Sequence, residues 1–184
     1  MASRLANDFV NSFPASTETL PDLVHQLIPP VNLNLLVSAG DQLALVLIIA
    51  YLLFWDTENF PLALILLGVF FLIRAGFLFC TVLPTPFPRI DDSATLNVSL
   101  VFYGTRDLFP SGHTGSLFIL AFLIKKNLWV RGLVFVLATV MGLAVVLMHV
   151  HYTIDVLGAV FIAYAVYAFF EKHVAPWARE PRGG

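Results

Sequence analysis

Three ionisable side chains stand at spacings that suit phosphoryl transfer: His113, directly behind Ser111 and Gly112, and His151, four residues ahead of Asp155. Residues four apart share one face of a helix, so Asp155 can accept a hydrogen bond from one ring nitrogen of His151 and leave the other more basic. A histidine oriented in this way is half of a catalytic triad. It can also attack phosphorus and form a phosphohistidine while a second histidine protonates the departing oxygen. His113 is placed for that second task, since the start of a helix offers free backbone amides to an anion and glycine permits close approach. Any single membrane-embedded histidine could equally be bonding a neighbour's carbonyl. Three groups meeting at one depth favour chemistry, whereas for His149, two positions from His151, a structural role is the expectation.

Further charges lie near these groups in sequence. Arg74 sits about two turns inside an apolar run, where a cation needs a partner or a cavity. It can reach a phosphate, or neutralise Asp155 or Asp107. Arg89 and Arg106 belong to a proline-rich loop that also carries Asp91, Asp92 and Asp107, and anion binding would account for them. Asp41 is expected at the membrane interface, and Cys80 as a small packing residue. Two rival readings remain: a zinc site drawn from His113, His149, His151 and Asp155, and a transporter or proton path. Neither accounts for the Ser-Gly step before His113 or for the carboxylate four residues after His151. No metal and no cofactor is expected.

The elements that hold these residues must be membrane helices. Hydrophobic residues make up 59% of the 184 and charged residues 12%, against roughly a quarter charged in soluble chains, and the mean hydropathy is +0.86. A net charge of −2 without a basic tract excludes nucleic acid as a partner. Apolar runs extend from about Leu35 to Trp55, Pro61 to Leu83, Ser111 to Ile124, Trp129 to Met148 and Tyr152 to Phe170. A crossing takes about 20 residues, so the third run is short and is expected to begin below the membrane surface. The fold class is thus all-α, a polytopic membrane helix bundle of about five transmembrane helices plus an N-terminal interfacial segment. Residues 1–33 form that segment, with Leu5, Phe9, Val10 and Phe13 among polar neighbours. Residues 34–171 form the transmembrane catalytic bundle and residues 172–184 a cytoplasmic tail. Lys125, Lys126 and Arg131, with Lys172, Arg179 and Arg182, mark the cytoplasmic side by the positive-inside rule. The N-terminus, the Pro84 to Pro110 loop and the His149 to His151 turn then lie on the exoplasmic (periplasmic or lumenal) side.

Asp107-Leu-Phe-Pro-Ser-Gly-His113-Thr, followed by His151-Tyr-Thr-Ile-Asp155-Val, resembles the sphingomyelin synthase branch of the type-2 phosphatidic acid phosphatase superfamily. Leu20-Pro-Asp22, and Arg74 through Thr81-Val-Leu-Pro-Thr-Pro86, are similar to that branch's two upstream motifs in the same order, so the likeness runs from about residue 20 to 171. The resemblance implies a metal-independent membrane enzyme with an exoplasmic site, in which His151 is the nucleophile, Asp155 orients it and His113 is the acid. Asp107 falls on the family's motif aspartate. The substrate-binding set is then expected among Arg74, Arg89, Tyr103, Arg106, Asp107, Ser111 and Gly112. The implied reaction moves a phospho-headgroup from a phospholipid to ceramide or diacylglycerol, or hydrolyses the phospholipid. The wider superfamily's Ser-Arg pair shortly ahead of the nucleophile has no counterpart here, Ala144 and Val145 being apolar. That departure favours the sphingomyelin synthase branch and shifts phosphate binding to Arg74, Arg89 or Arg106.

Overall fold

The computed structural model describes residues 2–12, 19–90 and 108–175. Among them there is no strand, and the helices in order are α1 (Ala2–Asn11), α2 (Leu23–Leu27), α3 (Asp41–Trp55), α4 (Phe60–Cys80), α5 (Gly112–Leu123), α6 (Leu128–Leu147) and α7 (Thr153–His173). A π-helical turn, Leu35–Gly40, runs directly into α3, and the two together make one apolar rod of 21 residues. With α4, α6 and α7, at 21, 20 and 21 residues, four rods are long and apolar enough to cross a membrane, each about 30 Å at 1.5 Å per residue. Leu43, Leu47, Leu72, Leu133, Leu143 and Phe161 point outward from these rods and are exposed. Such a mantle of large apolar side chains is at home only in lipid, where each helix satisfies its own backbone. The chain is a multi-pass helical membrane protein.

Local chemistry explains where the rods begin and end. Pro61 sits in the first turn of α4, where its missing N–H costs nothing. The same helix stops at Cys80, because Thr81 and Val82 are β-branched and Pro84 disfavours helical backbone at Leu83. Asn127 caps α6, its side-chain oxygen accepting the Trp129 and Val130 amides at 3.1 and 3.2 Å.

Helix α5 is different. It has 12 residues, about 18 Å of length, and all but Phe118 and Phe122 are buried. It forms the centre of the bundle, in contact with α3, α4, α6 and α7, so it meets protein rather than lipid on nearly every side. Gly115 allows this closeness: the tip of the Phe70 ring of α4 points at it, and a β-carbon there would come within 2.6 Å of Phe70 Cε2.

Ion pairs lace one end of the bundle. Lys126 reaches Asp56 at 3.2 Å and Glu58 at 2.9 Å, and Lys125 reaches Glu171 at 2.6 Å. These contacts tie the α3–α4 turn and the α5–α6 connection to the last turn of α7. Trp55 and Trp129, both strongly exposed, stand at that same end, as interfacial aromatics do. At the opposite end α1 packs Ala6 and Val10 against Ala75 and Leu78 of α4, with the Phe9 ring 5.1 Å from that of Phe79.

Helix α7 continues to His173 and so includes Lys172. Arg179 and Arg182 lie outside the described residues. Asp41, expected at the interface, is only 5% exposed in the first turn of α3.

Candidate active site

The chain reverses between α6 and α7 in the five residues Met148 to Tyr152, and every step of that reversal is tied down. The Met148 amide bonds to the Ala144 carbonyl at 2.9 Å, that of His149 to Val146 at 2.9 Å, and those of Val150 and His151 to Val145 at 3.0 and 3.2 Å. His149 takes the left-handed backbone conformation, with φ 57°, that turns the chain back. Helix α7 then begins with its first amides accounted for by carboxylates. The Tyr152 amide donates to Asp155 Oδ2 at 2.8 Å, and the Thr153 amide donates to Asp22 Oδ2 at 2.7 Å. Both are charge-assisted caps at the positive end of the helix.

His151 thus stands immediately ahead of α7 with Asp155 behind it, Nδ1 lying 3.4 Å from Asp155 Oδ2. That is ion-pair rather than hydrogen-bond geometry, and Asp155 Oδ1 is buried without a partner among the described residues. A small rotation closes the bond, and catalytic hydrogen bonds commonly tighten only when substrate is present. His113, in the first turn of α5, faces His151 with ring centroids 5.8 Å apart and planes at 71°. The two helix starts are joined directly, since the Ser111 amide donates to the Asp155 carbonyl at 3.0 Å. Arg74 crosses from α4, its Nε donating to the Pro110 carbonyl at 2.7 Å. The Arg74 guanidinium lies near enough to His113 to act on its ring electrostatically. Arg74, His151 and Asp155 are each 2% exposed or less, and Ser111 is fully buried.

The structure therefore brings together His113, His151, Asp155, Arg74, Ser111 and Gly112. Tyr103, Arg106 and Asp107 lie outside the described residues. Arg89 sits in the segment after α4, between Pro88, whose carbonyl meets the His149 ring at 2.8 Å, and Ile90, whose amide donates to Met148 at 3.0 Å. It is thus set beside the His149 end of the turn. Among the described residues no three His, Cys, Asp or Glu side chains are grouped as metal ligands.

Sequence reasoning missed a layer behind the site. Residues 20–31 lie over the α6–α7 turn: the Leu20 amide donates to the Tyr152 hydroxyl oxygen at 3.1 Å and the Val31 amide to Leu147 at 2.8 Å. Asp22 accepts the Val24 and His25 amides at 2.9 and 3.3 Å as well as the Thr153 amide, and its Oδ1 takes the Thr153 hydroxyl at 3.0 Å. Burial works against the charge of Asp22, but the Thr153 amide and hydroxyl and the His25 amide outweigh it and hold the carboxyl below the usual carboxylate range. His25 stacks on His149 with ring centroids 4.0 Å apart. Burial, and then the charge of His149, hold the His25 imidazole below its usual range. The sequence reading held Asp22 only as part of the Leu20-Pro-Asp22 motif, without a role. Its reach to residue 153 was invisible.

Residues 106–173, which include α5, α6, α7, both facing histidines and Asp155, match the family model described as PAP2 superfamily C-terminal. The match supports the type-2 phosphatidic acid phosphatase superfamily and a membrane enzyme of the lipid phosphatase type, without singling out the sphingomyelin synthase branch. No curated protein and no solved structure matches the chain.

Proposed function

We propose that this chain is a membrane lipid phosphotransferase or phosphohydrolase that works through a phosphohistidine at His151, similar in substrate class to sphingomyelin synthases. The observation that carries the reading is the facing pair His113 and His151, 5.8 Å apart and buried at one depth, with a carboxylate behind one ring and a guanidinium beside the other. With Nδ1 directed at Asp155, Nε2 of His151 attacks phosphorus while the bond to the leaving alkoxide breaks and His113 supplies its proton. Water or a lipid alcohol then attacks the phosphohistidine, gives its proton to His113 and releases His151. Arg74 and the amides at the start of α5 balance the phosphoryl charge during both steps. Both phospholipid tails stay in the bilayer while the headgroup enters at the helix starts. Ceramide or diacylglycerol is the acceptor in the transferase form and water in the hydrolase form. The positive-inside rule places this end on the exoplasmic face, and no metal takes part.

The test is to incubate the purified protein with phospholipids and phosphatidic acid in the presence of a chelator, with and without ceramide, and to identify every lipid and phosphorus-containing product. Headgroup or phosphate released without an acceptor marks a hydrolase, and headgroup on ceramide marks a transferase. Acid-labile, base-stable phosphate on the protein, lost in His151→Ala, marks the intermediate. Product formation by His151→Ala at the wild-type rate refutes the mechanism.

A further inference from the structure

We propose that His149 is a positioning residue: protonated on both ring nitrogens, it pins the turn that presents His151 between two other segments of the chain, at the carbonyls of Ile28 and Pro88. The inference rests on the reading of His151 as nucleophile. Its own basis is geometric. Nδ1 of His149 lies 2.8 Å from the Pro88 carbonyl oxygen and Nε2 lies 3.1 Å from that of Ile28. Carbonyl oxygens only accept hydrogen bonds, and a neutral imidazole carries one N–H, so both contacts are made only by the imidazolium. At 1% exposure water does not substitute for either partner.

The backbone adds a second observation. A φ of 57° is a conformation that glycine adopts freely and a side chain with a β-carbon resists. A histidine at such a position is held there by what its ring does. The ring joins the end of α2, which Asp22 ties to α7, to the segment after α4, whose Ile90 amide holds Met148. With the turn's own hydrogen bonds, the clamp leaves the His151 backbone no direction in which to drift. For a nucleophile that must line up with phosphorus this matters, because a displacement of about 1 Å costs on the order of 100-fold in rate.

The surroundings fit a single positive charge on the ring. His25 from α2 stacks on it, and two imidazoliums face to face would repel. Burial, first of all, holds His25 below its usual basicity. Asp22 stands at the head of α2 with its negative charge, and the Tyr152 ring also lies against His25, ring centroids 5.6 Å apart. Arg89 adjoins Pro88 in sequence, and His151 and Asp155 follow along the turn.

The test uses the full-length protein in nanodiscs with ¹⁵N-labelled histidine, the His149 resonances being those lost in His149→Gly. Glycine is the chosen replacement because it removes the ring at a backbone angle it accepts without strain. Two protonated nitrogens at pH 7 are expected, and one bare nitrogen overturns the clamp. In the kinetic arm, His149→Gly is expected to lower kcat by up to about 100-fold with KM little changed. A kcat within twofold of wild type in the folded variant overturns the positioning role. The protonation state decides the clamp without reference to turnover, so a wild type that acts on no phospholipid leaves that decision intact, and should His149→Gly fail to fold, His149→Asn, which also tolerates the left-handed backbone, supplies the assignment.

Discussion

Asp22 carries a quantitative prediction, because one carboxylate caps two helices that are 131 residues apart in register. In Asp22→Ala the amides of Val24, His25 and Thr153 and the Thr153 hydroxyl all lose their acceptor. A missing N-cap costs about 0.5–2 kcal/mol per helix, and a hydrogen bond to a charged acceptor about 1.5–3 kcal/mol. With α2 short and partly exposed and the Thr153 contacts partly buried, the sum is about 3 kcal/mol. Asp22→Asn keeps one accepting oxygen and should lose roughly half of that. Reversible unfolding in mixed detergent micelles measures both. The pH dependence supplies an independent check. Since the folded carboxyl is held below its ordinary value, its stabilisation is fully present above that value and is lost as pH falls through the lower folded one. The gap between wild type and Asp22→Asn must therefore narrow on acidification. An Asp22→Ala variant as stable as wild type, or a gap that widens at low pH, would refute the capping argument.

Other outcomes are equally specific. Asp155→Asn should retain the fold but lower kcat by about 10³–10⁴-fold, the scale set by a misoriented imidazole, as read in the phospholipid turnover assay. Arg74→Gln should lower kcat/KM by about 10–100-fold, the equivalent of one or more charge-assisted bonds, and a normal kcat/KM would remove Arg74 from the substrate site. Gly115→Ala forces the Phe70 ring off α5 and should destabilise by about 1–3 kcal/mol. Gly132→Ala, where a β-carbon meets nothing within 4 Å, is the matched control and should be neutral or slightly stabilising in the same unfolding measurement.

What the sequence disclosed was local or periodic. The four long rods follow from unbroken apolar runs, and the shortness of α5 shows in the 14 residues between Ser111 and Ile124. The pairing of His151 with Asp155 is a four-residue helical relation, and the N-terminal placement of His113 follows from the Ser-Gly step. Contacts across the fold left no such trace. The reach of Asp22 to Thr153, the His25–His149 stack and the docking of Arg74 on Pro110 depend on how separate helices come together.

The brevity of α5 also governs how this protein is made. A 12-residue segment flanked by a serine-glycine step and two lysines is too short to settle in a bilayer by itself during synthesis. Its neighbours lie on both sides of it in the chain, α3 and α4 before it and α6 and α7 after it. His113 and His151 therefore meet only once the whole bundle exists. A chain that stops short of α7 holds His113 without the ring it faces.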